Sequence, residues 1–238
     1  GKRPAADWRI RFPNGAVHEL LPHLKGGNSL GGWRRVAVEP FPIYVEFPVS
    51  ELEFRFERER IFLNGRLYGI VMRNYDDLER NEGKLGQVRF LMCYGRLADE
   101  RTFEYLRRME SLRAVCILSP MPADLEALAR YRPEIEVLDL NCAYWPCEFS
   151  LSRFERLAVL SVRGKYWRRM YDREEVSARR LYLGEGKPSD LPERRSGLEV
   201  LEISVSGAEE LGELWKAAGE MPSLRVLYVK ASYVPGED

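Results

Sequence analysis

Glu134–Leu140, with the sequence EIEVLDL, and Arg156–Val162, with the sequence RLAVLSV, decide the fold. Both stretches contain the spacing apolar-x-x-apolar-x-apolar, which Ile135, Leu138 and Leu140 show in the first. Successive side chains of a strand point to opposite faces, so the last two apolar positions of this phrase share one face. Because the phrase recurs along the chain, we predict that the protein is built from repeated strands.

Seven copies of the phrase follow one another in the C-terminal two thirds of the chain. Their first positions are Leu85, Leu112, Ile135, Leu157, Ala178, Leu198 and Leu224. Successive first positions are roughly 20 to 27 residues apart, which lies in or near the range of strand-bearing repeats. A unit of this length cannot bury its apolar face alone, so we expect neighbouring units to stack into a continuous core.

Helix signals occur in the connections between the strands. The three-residue spacing of Phe103, Leu106 and Met109 predicts one helix, with Asp99 or Thr102 as its cap.

Pro122 is suited to the start of a second helix, and Pro133 stops it before the next strand. Residues 206–209 form a capping box for a third helix, which Gly219 ends. Its predicted apolar stripe consists of Leu211, Leu214, Trp215 and Ala218. The connection 184–197 contains two prolines and is expected to be extended.

The repeats resemble the leucine-rich repeat family, in the helix-bearing style of ribonuclease inhibitor, over about residues 85–230. The resemblance implies an α/β solenoid with a parallel sheet and outer helices. The family's usual Asn or Cys at the ninth position of a unit occurs only at Cys93. We therefore expect irregular repeats that lack most of the family's buried polar ladder.

Residues 1–84 carry strand signals instead. Leu52–Arg58 alternates apolar and charged residues, and Asn64-Gly65 between two apolar runs is typical of a hairpin turn. Prolines bracket Ile43–Phe47, which favours an edge strand. The predicted organisation is thus a β-rich N-terminal cap over residues 1–84 and a solenoid over residues 85–238.

An alternative for the N-terminal part is a set of degenerate repeats. Trp33, Val49 and Leu67 also begin copies of the phrase, but they follow one another more closely than the later copies do. Their spacing of roughly 16 to 18 residues is too short for a strand and a helix in each unit. The sequence leaves the choice between cap and repeats open.

Charge and hydropathy exclude several function classes. The 37 basic and 37 acidic residues give no net charge, so the overall charge does not favour a nucleic acid or a membrane as partner. No apolar run of membrane-spanning length and no signal-peptide core occurs, which predicts a cytoplasmic protein. Most of the basic residues are Arg, as is typical of a GC-rich genome or a thermophile.

Metal and disulfide sites are not expected either. No C-x-x-C pair occurs, and the only histidines are His18 and His23. The four cysteines are predicted to be buried thiols, with a disulfide as the alternative in a hyperthermophile: Cys93, Cys116, Cys142 and Cys147. We predict no metal and no cofactor.

The resemblance implies non-catalytic protein binding, as an adaptor or sensor, through the concave face of the solenoid. Strand residues between the core positions are expected to line that face, with mixed charge and aromatic rings that suit a protein partner. The predicted protein-binding residues are Arg89, Arg113, Asp139, Arg163, Arg180, Tyr182, Glu202 and Tyr228.

The alternative function is nucleic-acid binding through residues 163–180, where basic residues are interleaved with aromatic ones. Its candidate residues are Arg163, Lys165, Arg168, Arg169 and Arg173. The competing interpretation of this segment is an ion-paired outer helix, because Trp167, Met170 and Tyr171 have helical spacing. No catalytic motif is present, so we predict that the protein is not an enzyme; a weaker third hypothesis places a catalytic site near the two histidines.

Overall fold

The protein has an α/β fold in the computed structural model. The structure describes residues 7–11, 17–19, 33–38, 41–46, 53–94, 96–142, 149–164, 178–184, 186–193 and 195–231. The strands are β1 Asp7–Arg11, β2 Val17–Glu19, β3 Trp33–Val38, β4 Phe41–Glu46, β5 Phe54–Glu57, β6 Arg60–Leu63, β7 Arg66–Met72, β8 Phe90–Cys93, β9 Ala114–Leu118, β10 Val137–Asn141, β11 Val159–Arg163, β12 Arg180–Leu183, β13 Val200–Val205 and β14 Val226–Ala231. The helices are α1 Tyr75–Glu79, α2 Glu100–Arg108, α3 Pro122–Tyr131 and α4 Ala208–Gly219.

Twelve of these strands form one mostly parallel sheet, the main sheet, in the order β2-β1-β14-β13-β12-β11-β10-β9-β8-β7-β6-β5. From β7 to β14 every strand is parallel to the next one in the chain. An antiparallel β5-β6-β7 unit extends one end of the sheet, and β1 and β2 extend the other. The prediction of an α/β protein with a parallel sheet is therefore confirmed.

Strand register corrects the phase of the first predicted repeat. Leu91 pairs with Val115, so Val88, and not Leu85, is equivalent to Leu112. The first unit is thus Val88-x-x-Leu91-x-Cys93, and its ninth position is Arg96. The misassignment arose because Leu85 is also buried, in a 3₁₀ turn at Glu82–Gln87 that precedes the strand.

With this phase, the phrase that begins at Leu67 joins the same ladder. Ile70 pairs with Leu91, so Leu67 is equivalent to Val88. From Leu67 to Leu224, successive units then start at intervals of roughly 20 to 26 residues. The series of parallel strands therefore begins before residue 85. For the phrase that begins at Leu67, this agrees with the alternative of degenerate repeats.

The apolar positions of the phrase form a core between the sheet and the helices. Leu138, Leu140 and their equivalents on neighbouring strands are buried there against Leu106, Leu125 and Leu214 of the three long helices. This core covers one face of the sheet. Because parallel strands are normally covered on both faces, the other face should be covered as well.

The predicted helices are present, with two corrections in α4. Asp99 caps α2 by accepting a hydrogen bond from the backbone of Arg101 at 2.9 Å, as predicted. In α4 the N-cap is Gly207, so Ser206 lies one residue before it and donates to Glu210 rather than forming the predicted capping box. Trp215 is 45% exposed and is not part of the apolar stripe.

Of the other connections, the one after β12 contains only a 3₁₀ turn at Pro188–Asp190 among its described residues, in line with the predicted absence of a helix. Cys93, Cys116 and Cys142 are buried cysteines that form no disulfide with one another, while Cys147 lies outside the described residues. The expectation of buried thiols holds for those three.

The predicted N-terminal strands are also present. Asn64 and Gly65 both have positive φ, at 50° and 76°, and they connect β6 to β7 as an Asn-Gly hairpin turn should. β3 pairs only with β4, in a separate two-stranded antiparallel sheet. Trp33–Val38 is thus one strand of a hairpin, and its resemblance to the repeat phrase was misleading.

Gly69 offers a test of how closely β7 and β8 approach. A Cβ atom at Gly69 would lie 2.8 Å from the backbone oxygen of Phe90 and 3.0 Å from its ring. We expect Gly69→Ala to lower the free energy of unfolding by about 1–3 kcal/mol, because backbone in a paired strand cannot move aside easily. Urea denaturation measures this change.

Gly212→Ala in α4 is the matched control. No atom lies within 4 Å of the Cβ that this substitution adds, and the site is helical. The control should be neutral or stabilising by up to about 1 kcal/mol. Equal effects of the two substitutions would contradict the close strand contact at Gly69.

Candidate binding surface

The side of the main sheet that faces away from the helices is covered by the β3–β4 hairpin, and we call this side the hairpin face. Trp33, Ile43, Tyr44 and Val45 of the hairpin are buried. They pack on a group of apolar strand residues: Phe90, Met92, Ala114, Cys116, Val137, Val159 and Val200. The hairpin and the main sheet are separate sheets, so side chains hold them together.

Local sequence explains why the hairpin does not join the main sheet. β4 carries Pro42, which lacks a backbone N–H and is suited to a strand with a free edge. β4 pairs with β3 through its other edge, from Phe41 opposite Val38 to Glu46 opposite Trp33. The aromatic and β-branched residues of the hairpin pack against the side chains of the hairpin face.

Asp139 on β10 is the most buried polar group beneath the hairpin, with no solvent exposure. The Tyr44 hydroxyl donates a hydrogen bond to Asp139 Oδ2 at 2.6 Å, and Arg163 Nη2 lies 3.2 Å from Oδ1. Burial, and then the charge of Asp139, raise the pKa of Tyr44 well above its usual value. Tyr44 therefore keeps its proton and remains a donor to the carboxylate.

Two further contacts fix the hairpin on either side of Asp139. Trp33 Nε1 donates to Glu136 Oε2 at 2.8 Å. Arg35 Nη1 lies 3.3 Å from Glu202 Oε2, and the guanidinium carbon of Arg35 lies 4.7 Å from the centre of the Tyr182 ring. Each of these groups gains a partner that compensates for the water lost on docking.

Strand β4 of the hairpin is also attached near β7 and β8. Glu46 forms an ion pair with Arg89. The Tyr68 hydroxyl donates to the carbonyl oxygen of Tyr44 at 2.6 Å, and burial raises the pKa of Tyr68. The polar contacts of the hairpin thus extend from the start of β8 to β13.

Arg180, at the start of β12, is buried on the same face. Its Nε has no hydrogen-bond partner among the described residues. Burial lowers the pKa of Arg180, while the nearby Tyr182 and Glu199 oppose that effect. Arg180 therefore contributes a desolvated cation under the hairpin rather than a solvent-exposed one.

Strand register places half of the predicted binding residues in a single row. Asp139, Tyr182, Glu202 and Tyr228 occupy equivalent positions on β10, β12, β13 and β14. Met92 takes the place in this row that was predicted for Arg89. The row lies on the hairpin face, as expected for residues between the core positions.

Exposure divides the predicted residues into two groups. Asp139, Arg180 and Tyr182 are buried and are not available to a partner while the hairpin is docked. The remaining predicted residues are half-buried: Arg89, Arg113, Arg163, Glu202 and Tyr228. Arg89 and Arg113 precede their strands at the opposite ends from Arg163, so the eight residues do not form one continuous exposed patch.

The residues of the nucleic-acid hypothesis lie mostly outside the described part of the chain. Arg163 is described, and it pairs with buried Asp139. Lys165, Arg168, Arg169 and Arg173 lie outside the described residues, as does His23.

The residues that hold the hairpin were not found from the sequence as a site. One signal was available, since β9 reads AVCIL and β11 reads VLSVR, with small or apolar residues on both faces. Such runs are typical of parallel strands that are buried on both sides. They predict that something must cover the second face.

Other site types are not supported by the described residues. Within the ranges that the structure describes, no three His, Cys, Asp or Glu side chains are grouped as a metal site would need. No helix among them is both long and apolar enough to cross a membrane.

Comparison with known proteins found no matching family model, no similar curated protein and no similar solved structure.

One strip of the hairpin face remains accessible beside the hairpin. It consists of residues in equivalent positions at or next to the carboxyl ends of the parallel strands, and we call it the carboxyl-end strip. Its members are Leu118, Asn141, Arg163, Gly184, Ser204 and Lys230. All six are half-buried or exposed, in contrast to the buried residues beneath the hairpin.

Tyr44→Phe tests the contact at the centre of the hairpin. It leaves one buried oxygen of Asp139 without its donor, so we expect the free energy of unfolding to fall by about 1–3 kcal/mol. Tyr94→Phe is the control, because Tyr94 is 43% exposed and its change should stay within about 0.5 kcal/mol. A double-mutant cycle with Asp139→Asn should show a coupling; additive effects would contradict the hydrogen bond.

Thiol reactivity tests burial on both faces of the sheet. Burial raises the pKa of Cys93 and of Cys116, so these thiols are protonated as well as inaccessible. We expect no more than one of the four cysteines, Cys147, to react with a thiol reagent in native protein. All four should react after unfolding in urea, and rapid native modification of Cys116 would contradict a docked hairpin.

Proposed function

We propose that the protein is a non-catalytic polypeptide-binding module, an adaptor or sensor, that uses the hairpin face of a leucine-rich-repeat-like solenoid. Strands that follow one another in both chain and sheet, at intervals of roughly 20 to 26 residues, support the repeat architecture. In this proposal residues 85–238 form most of the solenoid, and the antiparallel strands of residues 1–84 protect its exposed edges.

The observation that carries the proposal is the docked hairpin itself. A polypeptide in β conformation lies on the hairpin face without pairing with any strand of the main sheet, with hydrogen bonds at Glu136 and Asp139 and an ion pair at Glu202. Apolar packing and spaced polar contacts of this kind are what a protein interface uses. The face is therefore chemically suited to a polypeptide.

A partner would bind along the carboxyl-end strip, next to the hairpin. Leu118 provides an apolar contact, Asn141 and Ser204 provide hydrogen-bonding groups, and Lys230 provides an exposed cation. Ligands of open parallel sheets commonly bind beyond the carboxyl ends of the strands. The mixed chemistry of the strip suits the backbone and side chains of a peptide.

Gly184 shapes the middle of the strip. A Cβ atom there would lie 2.8 Å from Cβ of Arg163, so the missing side chain gives Arg163 room to reach Asp139. Arg163 is thereby held over the buried carboxylate, at the point where the strip adjoins the hairpin. Any bound peptide would pass over this fixed cation.

The proposal is tested with a displayed library of random peptides. Peptides enriched on the wild-type protein are labelled, and their Kd is measured by fluorescence anisotropy. The test variant is Asn141→Arg with Ser204→Arg, which adds bulk at two half-buried positions of the strip. We expect its Kd to rise at least about tenfold, because the added side chains occupy the contact surface.

The control variant is Ser152→Arg with Ser196→Arg, which adds the same bulk and charge at exposed positions away from the strip. It should bind within about twofold of wild type, as expected of surface changes outside an interface. The proposal fails if no peptide is enriched, if both variants bind equally, or if the protein retains only oligonucleotides.

A further inference from the structure

A cleft lies at the end of the parallel strands, away from the carboxyl-end strip. It encloses about 1050 Å³ where the β6–β7 turn, the start of β7 and the 3₁₀ turn Glu82–Gln87 come together. Its lining residues are Phe62, Leu63, Asn64, Gly65, Arg66, Leu67, Tyr68, Lys84, Gln87 and Arg89. No function described so far uses it.

Among the described residues that line the cleft, the charged ones are all cations: Arg66, Lys84 and Arg89. Arg66 and Lys84 are exposed, and neither forms an ion pair within the described ranges. Arg89 pairs with Glu46 through one terminal nitrogen, while its Nε is buried and has no hydrogen-bond partner among the described residues. A cleft with this charge favours an anionic ligand.

The cleft is also lined by apolar residues and by two amide groups. Leu63 and Leu67 are partly buried in the wall, and Asn64 and Gln87 add hydrogen-bonding groups. A volume of about 1050 Å³ is far larger than one inorganic anion needs and is in the range of clefts that hold organic ligands. The ligand should therefore carry apolar groups as well as negative charge.

The aromatic rings of the cleft are not arranged to stack bases. The Phe62 ring is covered by the guanidinium of Arg55, whose central carbon lies 4.5 Å from the ring centre. Tyr68 is only 7% exposed, and its hydroxyl is bound to the Tyr44 carbonyl. Single-stranded nucleic acid is normally bound on open aromatic faces, so the cleft favours a peptide instead.

We propose that this cleft binds an acidic polypeptide segment, in which carboxylate or phosphate groups contact Arg66, Lys84 and Arg89 and an apolar side chain packs on Leu63 and Leu67. Arg is well suited to both kinds of anion, because its guanidinium donates two parallel hydrogen bonds. The site lies at β6 and β7, so it is separate from the carboxyl-end strip on β9 to β14.

The test measures fluorescence anisotropy with labelled peptides that combine six acidic residues with two leucines. One peptide carries glutamates, a second replaces some of them with phosphoserine, and a third carries glutamines as the neutral reference. We expect the full chain to bind the acidic peptides at low salt, with affinity that falls as salt rises and is at least about tenfold above that for the glutamine peptide. The two acidic probes show which anion is preferred.

The variant Arg66→Glu with Lys84→Glu should raise the Kd of the acidic peptides at least about tenfold, because it reverses the charge of the cleft. Arg156→Glu with Lys216→Glu is the control, since it makes the same change in net charge at exposed positions elsewhere. The control should remain within about twofold of wild type at moderate salt. Asn141→Arg with Ser204→Arg should not weaken this binding, which separates the cleft from the function proposed for the strip.

Three outcomes would overturn the proposal. They are no binding of acidic peptide by wild-type protein at low salt, equal loss in the cleft and control variants, and tighter binding of a single-stranded oligonucleotide that depends on Arg66 and Lys84. Circular dichroism of both charge variants tests whether they remain folded.

Discussion

The structure depends on burying both faces of a parallel sheet. Each strand from β8 to β13 presents apolar side chains on the helix side and, in most cases, small or apolar side chains on the hairpin side as well. At about 25 cal/mol for each Å² of apolar surface, leaving the second face in water would forgo a large part of the stability of the fold. The β3–β4 hairpin meets this requirement, although it pairs with no strand of the main sheet.

Polar groups under the hairpin make its position specific. Apolar packing alone would allow the hairpin to slide along Val137, Val159 and Val200, whose side chains are alike. Asp139 opposes this, because a buried polar group needs its partners and the observed register places the Tyr44 hydroxyl 2.6 Å from it. The same logic applies to Trp33 and Glu136, which are far apart in the chain. The buried polar groups thus select one docked arrangement.

The sequence was sufficient for several features that depend on local spacing. It predicted α2 with its cap at Asp99, the Asn64-Gly65 turn and the helix-side core, because periodicity and turn chemistry act over a few residues. It failed where the repeat phrase fitted the sequence in two phases. The first unit could begin at Leu85 or at Val88, and both residues are buried. It also failed for the hairpin, since docking through side chains that are distant in the chain leaves no periodic trace.

The docked hairpin changes which residues of a repeat protein can be treated as a binding surface. Residues between the core positions are available to a partner only if the face that they occupy is open, and here Asp139 and Tyr182 hold part of the chain itself. The positions that remain are those beyond the hairpin, at the two ends of the strands. One end is the polar carboxyl-end strip, and the other is the cationic cleft around Arg66 and Lys84. The two ends differ in shape and in the side chains that they present, so a single extended partner would have to match both, whereas two different segments would each need to match only one.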